Sequence, residues 1–278
     1  MPIAPLRLTL LAALIAVLGL TACQSAQQTT RSSSVAVARE QLMPTVVDES
    51  EFLYEAGFRY KRFIGAARRH ALLDRNPTQL ERAQKTMQRL TAQTGMFRDD
   101  APGWSWEVHV ITADRIGAWC LPGGKMAISS ALFDRVKPTD DELAAVIGHE
   151  IAHALREHAR EEKGRTMSSK TALFAALFFI MGPGLNYTVT NLIVGMPNVI
   201  DIEIEADLIG VELAAKAGYQ PQGALTFWQK MARLQDARLS TMSSHPTGAD
   251  RLLALENAVR MIQAQMDDRA ANTVIANN

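Results

Sequence analysis

Cysteine is scarce in this sequence of 278 residues: there are two, Cys23 and Cys120. Two thiols cannot build a disulfide scaffold or a four-thiolate zinc site. A chain of 278 residues can bury a full core without such staples. A surplus of one charge sign is missing too. The 29 Lys and Arg residues balance 29 Asp and Glu, whereas a nucleic-acid binder needs a basic excess to meet phosphates. Internal repeats are absent, and long apolar runs are few. Outside the N-terminus, the most apolar stretch covers residues 171–181 and leads into Gly182-Pro183-Gly184. As a helix it would be roughly 18 Å long, short of the about 30 Å needed to cross a bilayer core. What remains is a globular enzyme or binding module.

The N-terminus reads as an address. Arg7 is the one charge before an apolar run over residues 8–20, the order of a secretory signal. Leu20-Thr21-Ala22-Cys23 closes it in the manner of a bacterial lipobox, with residues 1–22 removed and Cys23 acylated. Gln24, where an aspartate would retain the protein at the inner membrane, predicts sorting to the periplasmic face of a Gram-negative outer membrane. Acyl chains anchor a protein without making it span. Residues 23–45, rich in Ser, Thr, Gln and Ala at the start, read as a tether. With Cys23 so used, Cys120 has no internal partner and no Cys-His arrangement, and is expected as a buried structural thiol.

A single domain is expected over residues 46–267. Apolar Phe52, Leu53, Ala56, Phe63 and Ile64 suit an amphipathic helix within 46–73, and 77–90 a second one capped by Asn76. Residues 104–112 alternate as a strand does, and a second strand over 125–129 follows the turn Pro122-Gly123-Gly124. Helices fill the rest, and 268–278 reads as a loose tail. His109 is expected on the exposed face of the first strand, and His70, beside Arg68 and Arg69, on a solvated helix face.

His149-Glu150-Ile151-Ala152-His153 spells H-E-x-x-H, two of only six histidines in the chain. Thr139-Asp140-Asp141-Glu142 supplies a capping box, and Leu143, Ala144, Val146 and Ile147 carry the helix into the motif. Histidines four apart project from one helix face and can occupy two corners of a zinc tetrahedron. Glu150, about 60° round the helix from His153, reaches a water instead of the metal. An uncompensated His and Glu among apolar residues would be costly. A catalytic site needs a third ligand. His158 would lie about 140° from His153 on a continuing helix, so a surface or outer role is expected. The better source is Asp201-Ile202-Glu203-Ile204-Glu205-Ala206-Asp207. Acids spaced by four give two pairs, Glu203 with Asp207 and Asp201 with Glu205. One pair would supply a ligand carboxylate and a partner that orients a histidine, and the other would be solvated. Spacing alone does not choose.

The H-E-x-x-H helix followed by E-x-E-A-D resembles the gluzincin metallopeptidases of the CAAX prenyl protease and HtpX family, in particular their soluble periplasmic lipoprotein type. The resemblance runs over roughly residues 104–255, including Ala118-Trp119-Cys120-Leu121-Pro122-Gly123-Gly124 and Ser244-His245-Pro246 with Arg251. It departs at Gly117, where family members often carry Asn, and at Val199-Ile200, where they often carry Ser-Arg. It implies an α+β fold: a mostly helical zincin-type metalloprotease domain with a small β-sheet before the H-E-x-x-H helix. It implies one Zn²⁺ per chain held by His149, His153 and Glu203, with Asp207 behind a ligand histidine and Glu205 outside the site.

On this reading Glu150 is the general base, and His245 and Arg251 are candidates to stabilise the oxyanion. Pro246 biases His245 towards extended backbone, and Thr247 would cap the helix bearing Arg251. His245 would alternatively fill the open zinc position at rest. The strand over 106–112, or its partner, would receive extended substrate by edge pairing, and the apolar segment within 171–196 would serve as a lid or a membrane contact. The function expected is a zinc endopeptidase acting on unfolded or misassembled envelope polypeptides, with possible partners in the outer-membrane assembly machinery and none in nucleic acid. The alternative is a zinc-stabilised chaperone or assembly factor with minor or latent proteolysis.

Overall fold

Val108, Val110, Met126 and Ile128 alternate with more polar neighbours, and in a computed structural model of the chain they form the inner face of a small sheet. The structure describes residues 24–26, 28–31, 39, 41–44, 47–164, 199–234, 245 and 249–276. The signal segment 1–22, Cys23, the apolar stretch within 171–196 and Thr247 lie outside the described residues. The sheet comprises β3 (Glu107–Ile111), β4 (Ala118–Leu121) and β5 (Lys125–Ser129) in the order β3-β5-β4, with β3 parallel and β4 antiparallel to β5. The strand expected from residue 104 begins at Glu107, because Trp106 turns its indole N–H onto the Ala101 carbonyl. The chain reverses between β4 and β5 at Gly123 and Gly124, with φ of 84° and 86°, a region favourable to glycine. A side-chain carbon on Gly124 would also sit 2.7 Å from the Trp106 ring.

The outer face of the sheet is covered. Helix α1 (Glu49–Arg69) buries Ala56, Tyr60, Ile64 and Ala67, while Phe63 stays 40% exposed. Phe63 therefore leaves the expected apolar face and packs its ring edge on Trp119 at 5.3 Å. His109, expected exposed, is half-buried: Tyr60 stacks near it, and its ring nitrogens lie 2.6 Å from Asp74 and 2.9 Å from Glu107. A strand face reads as exposed only until a helix lies over it. His70 is exposed as expected. Helix α2 (Pro77–Thr91) starts where Asn76 accepts from the backbone N–H groups of Thr78 and Gln79.

The other side of the sheet meets helices α3 (Asp140–Leu155), α4 (Val199–Lys216), α5 (Gln222–Arg233) and α6 (Ala249–Ala276). Their apolar residues, among them Leu143, Ile147, Ile151, Leu213, Phe227 and Leu255, share one core with Val108, Met126 and Ile128. This is the expected α+β, mostly helical architecture with its sheet ahead of the motif helix. The tail differs. Residues 268–276 continue α6, since Asp267 to Ala271 contain neither Gly nor Pro to stop it.

The described chain falls into two compact units, residues 29–39, 53–157 and 198–278 forming the larger one just outlined. In the smaller, β1 (Gln24–Ala26) pairs antiparallel with β2 (Leu42–Pro44), and Arg160 donates to the Val47 carbonyl at 3.2 Å. Residues expected as tether thus include paired strands. Within the larger unit, the Arg31 N–H donates to Phe97 O at 2.7 Å, and Arg39 pairs with Glu205 at 2.8 Å. No helix among the described residues is long and apolar enough to cross a membrane.

Candidate metal centre

The motif helix is started by its own sequence. Thr139 Oγ1 accepts from the Glu142 N–H at 3.2 Å, Glu142 Oε2 accepts from the Thr139 N–H at 2.8 Å, and Lys230 Nζ donates to the same carboxylate at 2.6 Å. From there α3 runs through the core, so His149 and Glu150 are buried at 3% and 2% exposure. Helix α4 crosses α3 with backbones in contact. A Cβ on Gly148 would lie 2.8 Å from Gly210 O, and one on Gly210 would lie 2.7 Å from His149 N. Only a glycine pair permits this approach. It delivers Glu203 and Asp207, four residues apart on one α4 face, to the histidines of α3.

Asp207 Oδ1 lies 2.8 Å from His149 Nδ1. Assigning the proton to Nδ1, as this contact requires, leaves the Nε2 lone pair facing inward. It points at His153 Nε2 (3.0 Å), Glu203 Oε2 (3.3 Å) and His245 Nδ1 (3.3 Å). Glu203 also approaches His153 Nε2 at 3.5 Å and His245 Nδ1 at 2.9 Å. These four residues offer donor atoms all within 4.8 Å of one another. Four donors held by one zinc at about 2.0–2.1 Å lie about 3.3 Å apart. The five close separations, 2.9 to 3.5 Å, bracket that edge. Nitrogen lone pairs and a carboxylate oxygen converging at this spacing fit a divalent metal, and the N,O composition suits zinc.

The carboxylates dominate the electrostatics of the site. Burial opposes a charge on His149, but hydrogen bonds to Asp207 and Glu203 prevail and raise its pKa to about 9. Glu203 shows the converse: burial opposes ionisation, yet His149 and His245 hold its carboxyl far below the usual range. Burial drives the Glu150 carboxyl upward, partly offset by His245 and His149. Glu150 receives a hydrogen bond from the Cys120 backbone, while its Oε1 is buried with no hydrogen-bond donor among the described residues. His245 Nε2 is 3.6 Å from that oxygen.

Several expectations change. Arg251 does not face a substrate: it is 1% exposed, and its Nε and Nη2 grip Asp207 at 2.6 and 3.0 Å. Its Nη1 contacts Glu203 at 3.2 Å and donates to His245 O at 3.2 Å, and its guanidinium lies over the Trp228 ring at 4.2 Å. It is a clamp behind the donors. Of the two roles expected for His158 the surface one is excluded, since it is buried where α3 ends at Leu155 and Glu157 turns the chain at a φ of 51°; as expected, it is not one of the four grouped donors. The second acid pair is not uniformly solvated. Asp201 is exposed, but Glu205 is 2% exposed and paired with Arg156 at 2.6 Å and Arg39 at 2.8 Å. Arg156 sits three residues past the motif and Arg39 lies far upstream, so no local spacing announces either. Cys120 is buried as expected, and its thiol is pushed well up by burial.

An H-E-x-x-H helix, an acid from a crossing helix and a carboxylate beside the grouped donors define a metallopeptidase domain of the zincin type. The chain belongs to peptidase family M48, whose family model matches residues 77–259. It is 38% identical over 165 residues to the mitochondrial metalloendopeptidase OMA1 of Arabidopsis thaliana, covering 59% of this chain and 34% of the relative. The OMA1 of Schizosaccharomyces pombe is 29% identical over 201 residues, covering 71% and 58%. The beta-barrel assembly-enhancing protease of Escherichia coli (strain K12) is 30% identical over 170 residues, covering 55% and 34%. The match thus spans between a third and three-fifths of the length of these relatives.

Proposed function

We propose that the chain is a zinc-dependent endopeptidase that hydrolyses peptide bonds in unfolded or misassembled envelope proteins. The observation that carries this is Glu150: a buried carboxylate with one oxygen lacking a hydrogen-bond donor, set beside four convergent metal donors. His149, His153 and Glu203 would hold the zinc, and zinc in such a site supplies Lewis-acid polarisation of a carbonyl and activation of water. Glu150 takes the proton of the attacking water on its unpaired oxygen and passes it to the leaving amine. Burial favours its protonated form, which suits a group that must carry a proton between two steps. Asp207 holds His149 in the tautomer with its lone pair inward, and Arg251 holds Asp207.

Strand β4 is the edge beside the site. The Ser129 N–H donates to Gly117 O and the Gly124 N–H to Leu121 O, so alternate residues bond to β5 and Ala118 and Cys120 turn their backbone groups outward. Cys120 meets Glu150 there. An extended substrate adding to this edge would bring its carbonyl past Glu150. On this reading the receiving edge is β4; the outer side of β3 is already paired in part through Leu73.

Support for a place at the outer membrane comes from the lipobox at Cys23 and from the E. coli relative, whose name ties it to β-barrel assembly. A Cys23→Ser chain is expected to leave the membrane fraction for the soluble one. A second reading, a zinc-stabilised assembly factor with latent proteolysis, is favoured by His245, which completes a closed four-donor set like those of structural zinc sites. The deciding experiment is Glu150→Gln. Zinc content is expected to persist while peptide cleavage falls at least about 100-fold. Equal cleavage by both proteins would remove the peptidase reading.

A further inference from the structure

An apolar cavity of about 470 Å³ opens on the outer side of the sheet, a volume within the range that holds small ligands. Its walls are Phe63 from α1, Ile111 from β3, Trp119 from β4 and Ala127 from β5. Asp114 and Arg115, both exposed, stand in the loop that borders it. Nothing in the hydrolytic chemistry uses this cavity.

Its position along β4 ties it to the site. Trp119 is the residue before Cys120, whose backbone donates to Glu150. In an antiparallel pair, residues directly opposite project from the same sheet face. A strand added to the outer edge of β4 would therefore place the residue opposite Trp119 or Gly117 on the cavity side. Gly117 lines the cavity and contributes no side chain of its own to it. We infer that this cavity is a specificity pocket that takes one large apolar side chain, Leu, Phe or Met, from the substrate strand bound at β4. The inference rests on the endopeptidase reading and extends it to substrate choice. Large apolar side chains are the ones a folded protein keeps inside. A cleft demanding one within an extended segment would thereby select unfolded polypeptide over native surface loops.

The test uses two sets of fluorogenic peptides, alike except for Leu or Phe against Ala or Asp scanned through the positions flanking the cleaved bond. Wild-type protein is expected to favour Leu or Phe at one position by about tenfold or more in kcat/KM. Ala113→Trp, at an exposed cavity residue, should fill the space and erase that preference, leaving the Ala-peptide rate and the zinc content unchanged. Phe63→Ser, at another lining residue, should weaken the same preference by widening the pocket. A preference that survives both variants, or no apolar preference at any position, overturns the inference while the peptidase reading stands. Indistinguishable cleavage of every peptide by wild type and Glu150→Gln removes that reading and the inference with it.

Discussion

A guanidinium that is 1% exposed cannot reach substrate, and Arg251 uses its donors on Asp207, Glu203 and the His245 carbonyl. Arg251→Gln strips the buried Asp207 of its charge partner. The expected cost is about 3–5 kcal/mol in denaturant unfolding, with zinc affinity about 10- to 100-fold weaker in chelator competition. Unaltered zinc affinity would show that Asp207 orients His149 unaided. His245 differs, because its Nδ1 is itself one of the four grouped donors. His245→Ala is expected to open that position and raise peptide cleavage several-fold. A fall in kcat with unchanged KM would assign His245 to the transition state instead. The sequence offered the open zinc position as one of two roles for His245, but not the clamp role of Arg251. H-E-x-x-H is a local pattern, since helical spacing alone brings its members together. Ser-His-Pro and Arg251 carry no such periodicity, and their hydrogen-bond partners among the donors and Asp207 lie 42 to 96 positions away on other elements, from His245 with Glu203 to His245 with His149.

At the scale of elements, the motif helix was legible and its crossing was not. Thr139, Glu142 and the apolar run predict α3 to within a residue of its start. The choice of Glu203 over Asp201 or Glu205 depends on how α4 lies across α3. That is set by Gly148 and Gly210, two unremarkable glycines in the sequence. Gly210→Ala improves intrinsic helix propensity by about 1 kcal/mol, yet its Cβ would meet the His149 backbone at 2.7 Å. The expected outcome is a net loss of stability together with weakened zinc binding, measured by thermal unfolding and metal titration; a more stable, zinc-competent variant would refute the close crossing. Strand β4 is silent in the sequence for another reason, since four residues are too few to display alternation. The cap makes a pH prediction. Burial opposes ionisation of Glu142, but Lys230 and the Thr139 N–H outweigh it and lower its pKa from 4.5. Its contribution is therefore complete above about pH 5 and fades as the pH falls below 4.5 towards the folded value. Thr139→Ala should cost about 1 kcal/mol at neutral pH. Glu142→Gln should flatten the acid limb of the stability profile, and an unchanged limb would deny the cap its part in acid unfolding.

Across the whole molecule, the donors turn separate elements into one site: His149 and His153 belong to α3, Glu203 to α4, and His245 to the segment before α6. The α+β class, the helix-rich content and the sheet ahead of the motif followed from periodicity, because those properties depend on neighbours in sequence. The sheet order, the cover that half-buries His109 and the Arg39–Glu205–Arg156 group depend on contacts between distant segments, and no period records them. Zinc bound by residues from distinct elements stabilises the folded chain over the unfolded one, which presents no assembled donor set. At a free zinc concentration 100 times the Kd, that linkage is worth about 2.7 kcal/mol. At about 2–4 °C per kcal/mol for a domain of this size, chelation should lower Tm by about 5–11 °C. Re-addition of zinc should restore it. Glu203→Gln should melt lower in zinc and respond little to chelator, whereas Glu150→Gln should keep the full zinc-dependent shift, since Glu150 is not one of the grouped donors. A wild-type Tm indifferent to chelator, with metal analysis confirming that zinc has been removed, would mean that the donors are held together by their own ion pairs and that the metal serves chemistry alone.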